Sequence, residues 1–304
     1  MTQQAAHLRE MALAVLQTPE PRAKAAAARA VYASLTHGEL SWPSPWPDTA
    51  PPATPARPDR PQLVAPGQTA RRRLGSVAGR IALLHAVAHI EFNAIDLAFD
   101  MAVRFGGDAA LDEAAQLSFL TDWIRVGDDE ARHFGLIADR LESLGANYGD
   151  LPAHDGLWDA ARTTQHELAA RLAIAPLVLE ARGLDVTPGM IDRLNSAGDT
   201  ISAEILKIIY ADEIGHVATG MRWFKHVCAV AGDAPEARSH SLVQQYYHSR
   251  LKPPFNTAAP HRAPSSASTP STPPTSATRR PTPPPPPPPP PTPRPPPLTP
   301  PSPR

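Results

Sequence analysis

The sequence predicts an all-α protein: a four-helix bundle with extra helices at both ends and a disordered proline-rich tail. Three observations predict this fold class. Long stretches in the middle of the chain repeat apolar residues with a helical period. These stretches are rich in Ala, Leu and Ile and poor in aromatics, a composition that suits helices. Of 39 prolines, 22 lie between Pro260 and Pro303 and only four between Arg71 and His240, so helix-breaking residues avoid the predicted bundle.

The first segment, residues 1–70, is predicted to combine short helices with an irregular connection. Two helices are expected within residues 7–36, separated by a break that contains prolines. Residues 38–70 are rich in Pro, Trp and Gly, which favours an irregular path. We expect Trp42 and Trp46 to anchor this path on the bundle.

The first two long helices are predicted over residues 75–105 and 112–145. At about 100° per residue, each of them places one acid inside its apolar stripe, Glu91 in the first and Glu130 in the second. A buried carboxylate needs a partner, because an unpaired interior charge is very costly. A salt bridge in the core is the alternative to a functional site. Gly127, one turn before Glu130, is expected to leave space beside its carboxylate.

The third helix is predicted from about Leu157 to Arg182. It carries Glu180 in its apolar stripe, one turn after Pro176, which should kink the helix or free a carbonyl there. The fourth helical stretch is expected to begin at Pro188, because proline favours the first turn of a helix.

The main body of the fourth helix, Asp199 to Val230, surrounds Glu213 with apolar residues. Tyr210 lies one turn before Glu213 on the core side, where it either packs or hydrogen-bonds a carboxylate as a redox neighbour. A last helix, about Pro235 to Arg250, is expected to pack outside the bundle. It completes the second predicted segment, residues 71–256.

The tail, residues 257–304, contains no acid and no Phe, Trp or Tyr. Its long proline run favours an extended polyproline II conformation without a core. We predict an inert disordered tail, with a ligand role for SH3-like domains as the alternative.

Composition and charge restrict the class of protein. The formal net charge of −1 indicates neither a basic nucleic-acid surface nor a strongly acidic chain. The single cysteine, Cys228, excludes an intrachain disulfide framework and fits a reducing compartment. We identify neither a targeting segment nor an apolar run of the roughly 20 residues that a membrane helix needs. We therefore expect a cytoplasmic protein without a membrane segment.

Two copies of one short motif carry the chemistry. Glu130 and His133 lie three residues apart, on one face of a helix, and the same spacing recurs at Glu213 and His216. One such pair arises easily by chance, whereas two copies in helical stretches, each preceded by Asp, are harder to dismiss. With the two further acids, the four long helices supply six candidate metal ligands: Glu91, Glu130, His133, Glu180, Glu213 and His216.

This order of Glu, Glu-x-x-His, Glu, Glu-x-x-His is the ligand set of di-iron carboxylate sites in four-helix bundles. Four carboxylates largely offset the charge of two divalent ions and can bridge them, while each imidazole supplies one nitrogen ligand. Oxygen-rich ligation favours iron, or alternatively manganese, over zinc. The sequence therefore predicts two iron ions as cofactors.

At these six positions the sequence resembles the ferritin-like superfamily. Asp129-Glu130-Ala131-Arg132-His133 is similar to the Asp-Glu-x-Arg-His motif of bacterial di-iron monooxygenases. The resemblance implies that Asp129 and Asp212 accept hydrogen bonds from His216 and His133 respectively, and that Arg132 steadies one of these acids. The second motif departs from the pattern at Gly215, where an arginine would stand.

The chain also resembles a bacterial family of ferritin-like proteins whose domain has no established function, and, distantly, the tRNA-modifying di-iron hydroxylases. The segments that carry the closer resemblance are His85–Glu91, Tyr148–Trp158 and Leu251–Asn256. The tail after Asn256 departs from that family's usual ending.

Other polar residues are predicted to lie away from the six candidate metal ligands. His85 and His89 lie on a face of the first long helix about 120–160° from Glu91, so we expect them at the surface or against a loop. Asp96 and Asp100 are placed on the same polar side. His154 is expected either to cap a helix or to line an entrance.

Three functions remain open at this stage. The first is an oxygen-dependent di-iron oxidoreductase, a hydroxylase acting on an unknown small molecule or on modified tRNA, with an electron-donor protein. The second is a ferroxidase or a peroxide-handling protein. The third is a non-catalytic bundle that metals only brace, because the fold alone does not decide function. The sequence leaves room for an oligomer.

Overall fold

The computed structural model describes residues 6–41, 46–47, 51–65, 68 and 73–247. These residues form a helical bundle, so the predicted all-α fold is confirmed. The only strands in these ranges are two-residue segments, β1 (Ala6–His7) and β2 (Leu40–Ser41), which pair in parallel. The predictions for Trp42 and for the tail, residues 257–304, lie outside the described residues.

Two short helices cover the bundle at its N-terminal end, as the proline-containing break predicts. They are α1 (Leu8–Leu16) and α2 (Pro21–Thr36), and the carboxylate of Glu20 caps α2 by accepting the backbone N–H groups of Arg22 and Ala23. Helix α1 packs on the first long helix and α2 on the second.

The first two long helices pack along each other, and each begins after a capping residue. Helix α3 (Val77–Phe105) starts after Ser76, whose hydroxyl accepts the backbone N–H of Gly79. Helix α4 (Glu113–Ser143) starts after Asp112, which caps it in the same way. The close α3–α4 pairing forms one half of the bundle.

The prediction of one continuous third helix is wrong. The chain instead forms α5 (Gly156–Thr163), α6 (Leu168–Ile174), a π-helical turn (Ala175–Glu180) and α7 (Ala181–Ser196). At the break between α5 and α6, Nη2 of the buried Arg171 donates to the carbonyl of Ala161 at 2.7 Å. This carbonyl therefore has a side-chain donor in place of the backbone N–H that a continuous helix would supply. The expected distortion at Pro176 takes the form of the π-helical turn, because proline lacks the N–H that an α-helical bond needs.

The expected start of the fourth helix at Pro188 is also wrong, because Pro188 lies inside α7. Proline removes a single hydrogen bond there, while Leu184, Ile191 and Leu194 of α7 remain packed in the core. The chain turns at Gly198, where φ is 77°, a value that favours glycine.

The bundle is completed by α8 (Thr200–Ala231), which Asp199 caps through the backbone N–H of Ser202. Helix α8 packs against α4, α6, α7 and the π-helical turn. Helix α9 (Pro235–Tyr246) follows and packs on the outside of α6 and α8, as predicted.

In the described part of the chain, α3 is the one helix long and apolar enough to cross a membrane by length and composition. A single helix of this kind is weak evidence for a membrane span, because a buried core helix passes the same test. In α3, 72% of the most apolar window is buried inside the protein. Burial of this extent is typical of the core helix of a bundle.

The polar side of α3 is not a surface, contrary to expectation. Asp96 is fully buried and forms an ion pair with Lys24 of α2, whose side chain is equally buried. Asp100 is also buried and pairs with Arg171 of α6 at 2.5 Å and with Arg104 at 2.7 Å. Helices on this side enclose α3, so both faces of α3 lie in the interior.

His85 and His89 are buried as well, beneath the loop that follows α4. The backbone N–H of Gly149 donates to Nε2 of His85 at 2.9 Å. Nδ1 of His89 lies 2.9 Å from the hydroxyl of Tyr148, and its Nε2 lies 3.1 Å from the carbonyl oxygen of His154. The predicted contact with a loop is therefore present, whereas the predicted surface position is wrong.

The irregular connection is tied to the bundle by tryptophan side chains. Nε1 of Trp46 donates to the carbonyl of Val103 at 3.2 Å, so Trp46 anchors the connection as expected. Trp158 holds it from the other side by donating to the carbonyl of Ala53.

Candidate metal centre

Four glutamates from four separate segments face the middle of the bundle. Glu91 lies in α3, Glu130 in α4, Glu180 at the end of the π-helical turn and Glu213 in α8. One ligand atom each from Glu91, Glu130, Glu213 and His133 lies within 4.8 Å of the others, so these four side chains could hold a metal ion. The other two predicted ligands, Glu180 and His216, stand outside this group of four.

Glu130 occupies the middle of the cluster. Its Oε2 lies 3.3 Å from Nδ1 of His133, and its Oε1 lies 3.0 Å from Nδ1 of His216. Nδ1 of His133 is also 3.3 Å from Oε2 of Glu91, and Nδ1 of His216 is 3.7 Å from Oε2 of Glu213. The two imidazole rings are 6.0 Å apart between centroids. One carboxylate therefore stands between two nitrogen-containing half-sites.

The outer nitrogen of each imidazole faces an aspartate on the opposite helix. Nε2 of His133 lies 2.9 Å from Oδ2 of Asp212, and Nε2 of His216 lies 3.3 Å from Oδ2 of Asp129. Such a partner fixes the tautomer and leaves Nδ1 free to face the cluster. The structure brings these pairs together, while their role around a metal stays a prediction.

A single arginine contacts both outer acids. Nη2 of Arg132 lies 2.6 Å from Oδ2 of Asp212 and 3.3 Å from Oδ1 of Asp129. The resemblance implied one acid for Arg132 and left the second motif without an arginine at Gly215. In the structure Arg132 serves both motifs.

The cluster is buried, and several of its polar atoms lack a hydrogen-bond partner. The side chains of Glu130 and His133 are fully buried, those of His216 and Glu91 nearly so, and that of Glu213 is 14% exposed. Buried polar atoms normally have partners. Here several do not, and they belong to the candidate ligands: Glu91 Oε2, Glu130 Oε1, Glu180 Oε2, Glu213 Oε2 and His216 Nδ1. Metal ions are the partners that such inward-facing carboxylates and imidazoles fit.

Burial and mutual charge shift the pKa values of the acids in opposite directions. Burial raises the pKa of Glu91 and of Glu213, and burial together with the charge of Glu213 raises the pKa of Glu180. Burial also acts on Glu130, but His216 and His133 outweigh it and hold its pKa below the ordinary value. Glu130 is thus the acid that stays charged most readily.

The imidazoles respond to the same carboxylates. Burial opposes protonation of His133, but the neighbouring carboxylates of Glu130 and Glu91 raise its pKa to about 11. The pKa of His216 is raised as well, because Glu130 and Asp129 outweigh its burial. Protons on these groups would offset the carboxylate charges whenever no metal is bound, and metal binding would release them.

Two residues singled out by sequence have different surroundings from the cluster. Tyr210 is partly buried in α8 and packs against the core, so the structure leaves its role as a neighbour of Glu213 a prediction. His154 accepts the backbone N–H of Gly156 through Nδ1 at 3.2 Å, which favours the predicted capping role.

Sequence reasoning missed the tight helix contacts beside the cluster. Gly127 does not leave empty space, because the ring of Phe99 occupies the position beside it. Gly220 of α8 contacts Pro176 of the π-helical turn in a similar way. The presence of glycines inside helices could have indicated these contacts. Glycine destabilises a helix interior, so its use there suggests that a larger side chain would not fit.

Comparison with known proteins gives a family and one relative. A family model described as "Protein of unknown function (DUF455)" matches residues 17–269. A relative from Haemophilus influenzae, described as "Uncharacterized protein", is 46% identical over 169 residues. This match covers 56% of this chain and 59% of the relative, so the chain spans less than two thirds of that relative's length. No solved structure matches the chain.

Proposed function

We propose that this chain, which belongs to the family described as protein of unknown function (DUF455), is a di-metal oxidoreductase of the ferritin-like type. Iron is the proposed metal and manganese the alternative. One observation carries the proposal: Glu130 lies between two imidazoles, 3.3 Å from His133 and 3.0 Å from His216, inside a buried ring of acids. A central carboxylate of this kind would hold both ions of a metal pair, with one imidazole for each ion.

The number of ions follows from charge. Four carboxylates carry four negative charges when ionised, and two divalent cations match them. The proposed half-sites share Glu130. One combines Glu91 with His133, and the other combines Glu213 with His216, with Glu180 completing the second. Oxygen-rich ligation with one nitrogen per metal suits iron or manganese.

When bound, a pair of ferrous ions supplies electrons to dioxygen for the oxidation of an organic substrate. The residues of this chain hold and orient the pair. Asp212 and Asp129 fix the two rings through Nε2, and Arg132 holds both acids in place. Complete burial of Glu130 and His133 excludes water from the side of α3 and α4.

Access to the centre is proposed on the side of α8. Glu213 retains 14% exposure, whereas Glu130 on the facing helix has none. A substrate would therefore approach Glu213 and Glu180. We propose a small molecule or a modified tRNA nucleoside as the substrate class, and an electron-donor protein that restores the reduced centre. An oligomeric assembly is part of the same proposal.

Ferrous iron as substrate is the second candidate function. The same 14% exposure of Glu213 that admits a substrate also gives ferrous ions a route to the cluster. A ferroxidase needs such a route, together with the same carboxylate-rich ligands.

The first test measures bound metal. Protein reconstituted anaerobically with ferrous iron should hold about two ions per chain. It should gain ferric absorption when oxygen is admitted, lose it on reduction and regain it with oxygen. Glu213→Ala should lose iron, while Glu204→Ala, an exposed acid on the same helix paired with Lys207, should not. Equal iron content in the two variants would contradict the proposal, and iron that never cycles would indicate a structural site.

The second test separates the two candidate functions. With a reductant present, oxygen uptake by an oxidoreductase continues after the added ferrous ion has been consumed. Uptake by a ferroxidase stops in proportion to the iron supplied. Comparing metabolites and tRNA nucleosides between a deletion strain and its parent would then identify the substrate.

A further inference from the structure

Two glycines mark the closest helix contacts beside the candidate metal centre. A Cβ atom added to Gly127 of α4 would lie 2.5 Å from Cε2 of Phe99, a residue of α3. A Cβ added to Gly220 of α8 would lie 2.4 Å from Cβ and 2.5 Å from Cγ of Pro176 in the π-helical turn. Carbon atoms normally approach to about 3.5–4.0 Å. Neither position therefore accepts a side chain without movement.

The same two helices contain glycines that are not constrained in this way. At Gly135 of α4 and at Gly215 of α8, an added Cβ would meet no atom within 4 Å outside its own helix neighbourhood. Glycine is conformationally unnecessary at all four positions, since none of them has a positive φ. Close packing thus explains Gly127 and Gly220 and does not explain the other two.

Both tight contacts lie next to residues of the cluster. Gly127 precedes Glu130 by three residues. Gly220 follows His216 by four residues, and its partner Pro176 precedes Glu180 by four. Each contact joins two segments that both carry candidate ligands.

The separation between these segments matters because metal sites tolerate little displacement. Metal–ligand distances are held to within about 0.2 Å. Relieving a carbon–carbon approach of 2.4 Å requires a shift on the order of 1 Å to reach ordinary contact. A shift of this size at Pro176 would carry the backbone of Glu180 with it, since both residues belong to one short π-helical turn.

We propose that Gly127 and Gly220 are positioning residues that set the helix spacing at the metal centre, Gly127 between α3 and α4 and Gly220 between the π-helical turn and α8. Gly220 has the larger role. Its contact is the Cβ and ring of a proline, which cannot rotate aside, whereas the Phe99 ring has some freedom. This inference rests on the proposed di-metal function.

The test compares alanine at the tight and the open glycines. Gly220→Ala and Gly215→Ala are loaded anaerobically with ferrous iron, and bound iron is measured by equilibrium dialysis. The folded Gly220→Ala variant should bind iron at least tenfold more weakly, with the bound number falling from about two towards one. Gly215→Ala should bind like the wild type. Wild-type binding by folded Gly220→Ala would overturn the inference.

A second pair keeps the inference testable if Gly220→Ala does not fold. Gly127→Ala should weaken iron binding, Gly135→Ala should not, and Phe99→Leu should restore binding to Gly127→Ala, because leucine lacks the ring edge that the new methyl meets. A general loss of packing would lower the melting temperature in the metal-free state without this rescue of iron binding. Absence of rescue would overturn the inference. Absence of iron in the wild type would instead overturn the proposed function.

Discussion

Buried acids on the two sides of α3 are balanced in different ways. On one side, Asp96 pairs with the buried Lys24, and Asp100 pairs with Arg171 at 2.5 Å. On the other side, Glu91 joins the acid cluster, where the charges acting on it come from Glu130 and His133. The first side pairs its acids with lysine and arginine, whereas the ion-pair contacts described above for the clustered glutamates are with imidazoles.

This difference fits a structural role for the side of Asp96 and Asp100 and the proposed metal-binding role for the side of Glu91. A buried ion pair satisfies its own charge and stays closed to ligands, although it adds little net stability. A buried group of four acids with two imidazoles holds more negative charge than the protein balances with permanent cations. Divalent metal ions are the natural complement.

Removing the internal cation should be the most damaging change. Lys24→Met leaves Asp96 buried without its partner, so we expect a loss of about 3–5 kcal/mol in the free energy of unfolding. Denaturant titration measures it. The control is Lys207→Met, which breaks an exposed pair with Glu204 and should stay within about 0.5 kcal/mol of the wild type. A small effect of Lys24→Met would mean that Asp96 is neutral and that the two sides do not differ.

Removing the arginine that holds both outer acids should weaken the metal centre. Arg132→Gln should lower iron affinity about 10- to 100-fold, because residues behind the ligands orient them. Arg162→Gln, which breaks an exposed pair with Asp159, serves as the matched control. Unchanged affinity would show that Asp129 and Asp212 orient the rings without Arg132. Competition with a chelator gives the affinity ratio.

Neutralising an acid of the cluster should have opposite effects on stability and binding. Burial raises the pKa of Glu91, so its charged form costs stability without metal. Glu91→Gln should therefore stabilise the metal-free protein by about 1–2 kcal/mol and reduce iron binding. Thermal unfolding with and without iron measures both. A metal-free variant less stable than the wild type would place Glu91 in a structural ion pair.

The two sides of α3 should also differ in the sign of their pH dependence. Burial lowers the pKa of His89 to about 4. Its unfolded pKa is about 6.5, so the free energy of unfolding of the protein should fall as pH decreases from about 6.5 towards 4. The pKa of His133 is raised to about 11 although burial opposes it, so its contribution is complete below pH about 6.5 and is lost as pH rises towards 11.

Over the first pH unit away from 6.5, the free energy of unfolding should fall by about 1 kcal/mol. His89 should cause this loss on the acid side and His133 on the alkaline side. His89→Gln should flatten the acid limb of a stability–pH curve of the metal-free protein, and His133→Gln should flatten the alkaline limb. Denaturant midpoints across the pH range provide the curve. The prediction would be contradicted if His89→Gln flattened the alkaline limb and His133→Gln flattened the acid limb.

The parts predictable from sequence are those that depend on local periodicity. The apolar repeats around Glu91, Glu130 and Glu213 locate three long helices, and the spacing of Glu130 and His133 places them on one face. Such features need only neighbours within about two turns.

The parts missed by sequence depend on contacts between distant segments. Lys24 is 72 residues from Asp96, so the periodicity of α3 presents Asp96 as an exposed polar residue. His85 and His89 look exposed for the same reason, until the loop around Tyr148 covers them. The predicted third helix is interrupted where the side chain of Arg171 donates a hydrogen bond to the carbonyl of Ala161. The helical period of the sequence does not indicate this contact.

The central claim is that two metal ions lie on either side of Glu130. Anomalous diffraction at the iron edge, from crystals of the iron-loaded full chain, tests it most directly. The account predicts two peaks about 3.5–4 Å apart, one near Nδ1 of His133 and one near Nδ1 of His216. Iron-loaded crystals with no peak inside the bundle, or with a single peak remote from Glu130, would contradict it.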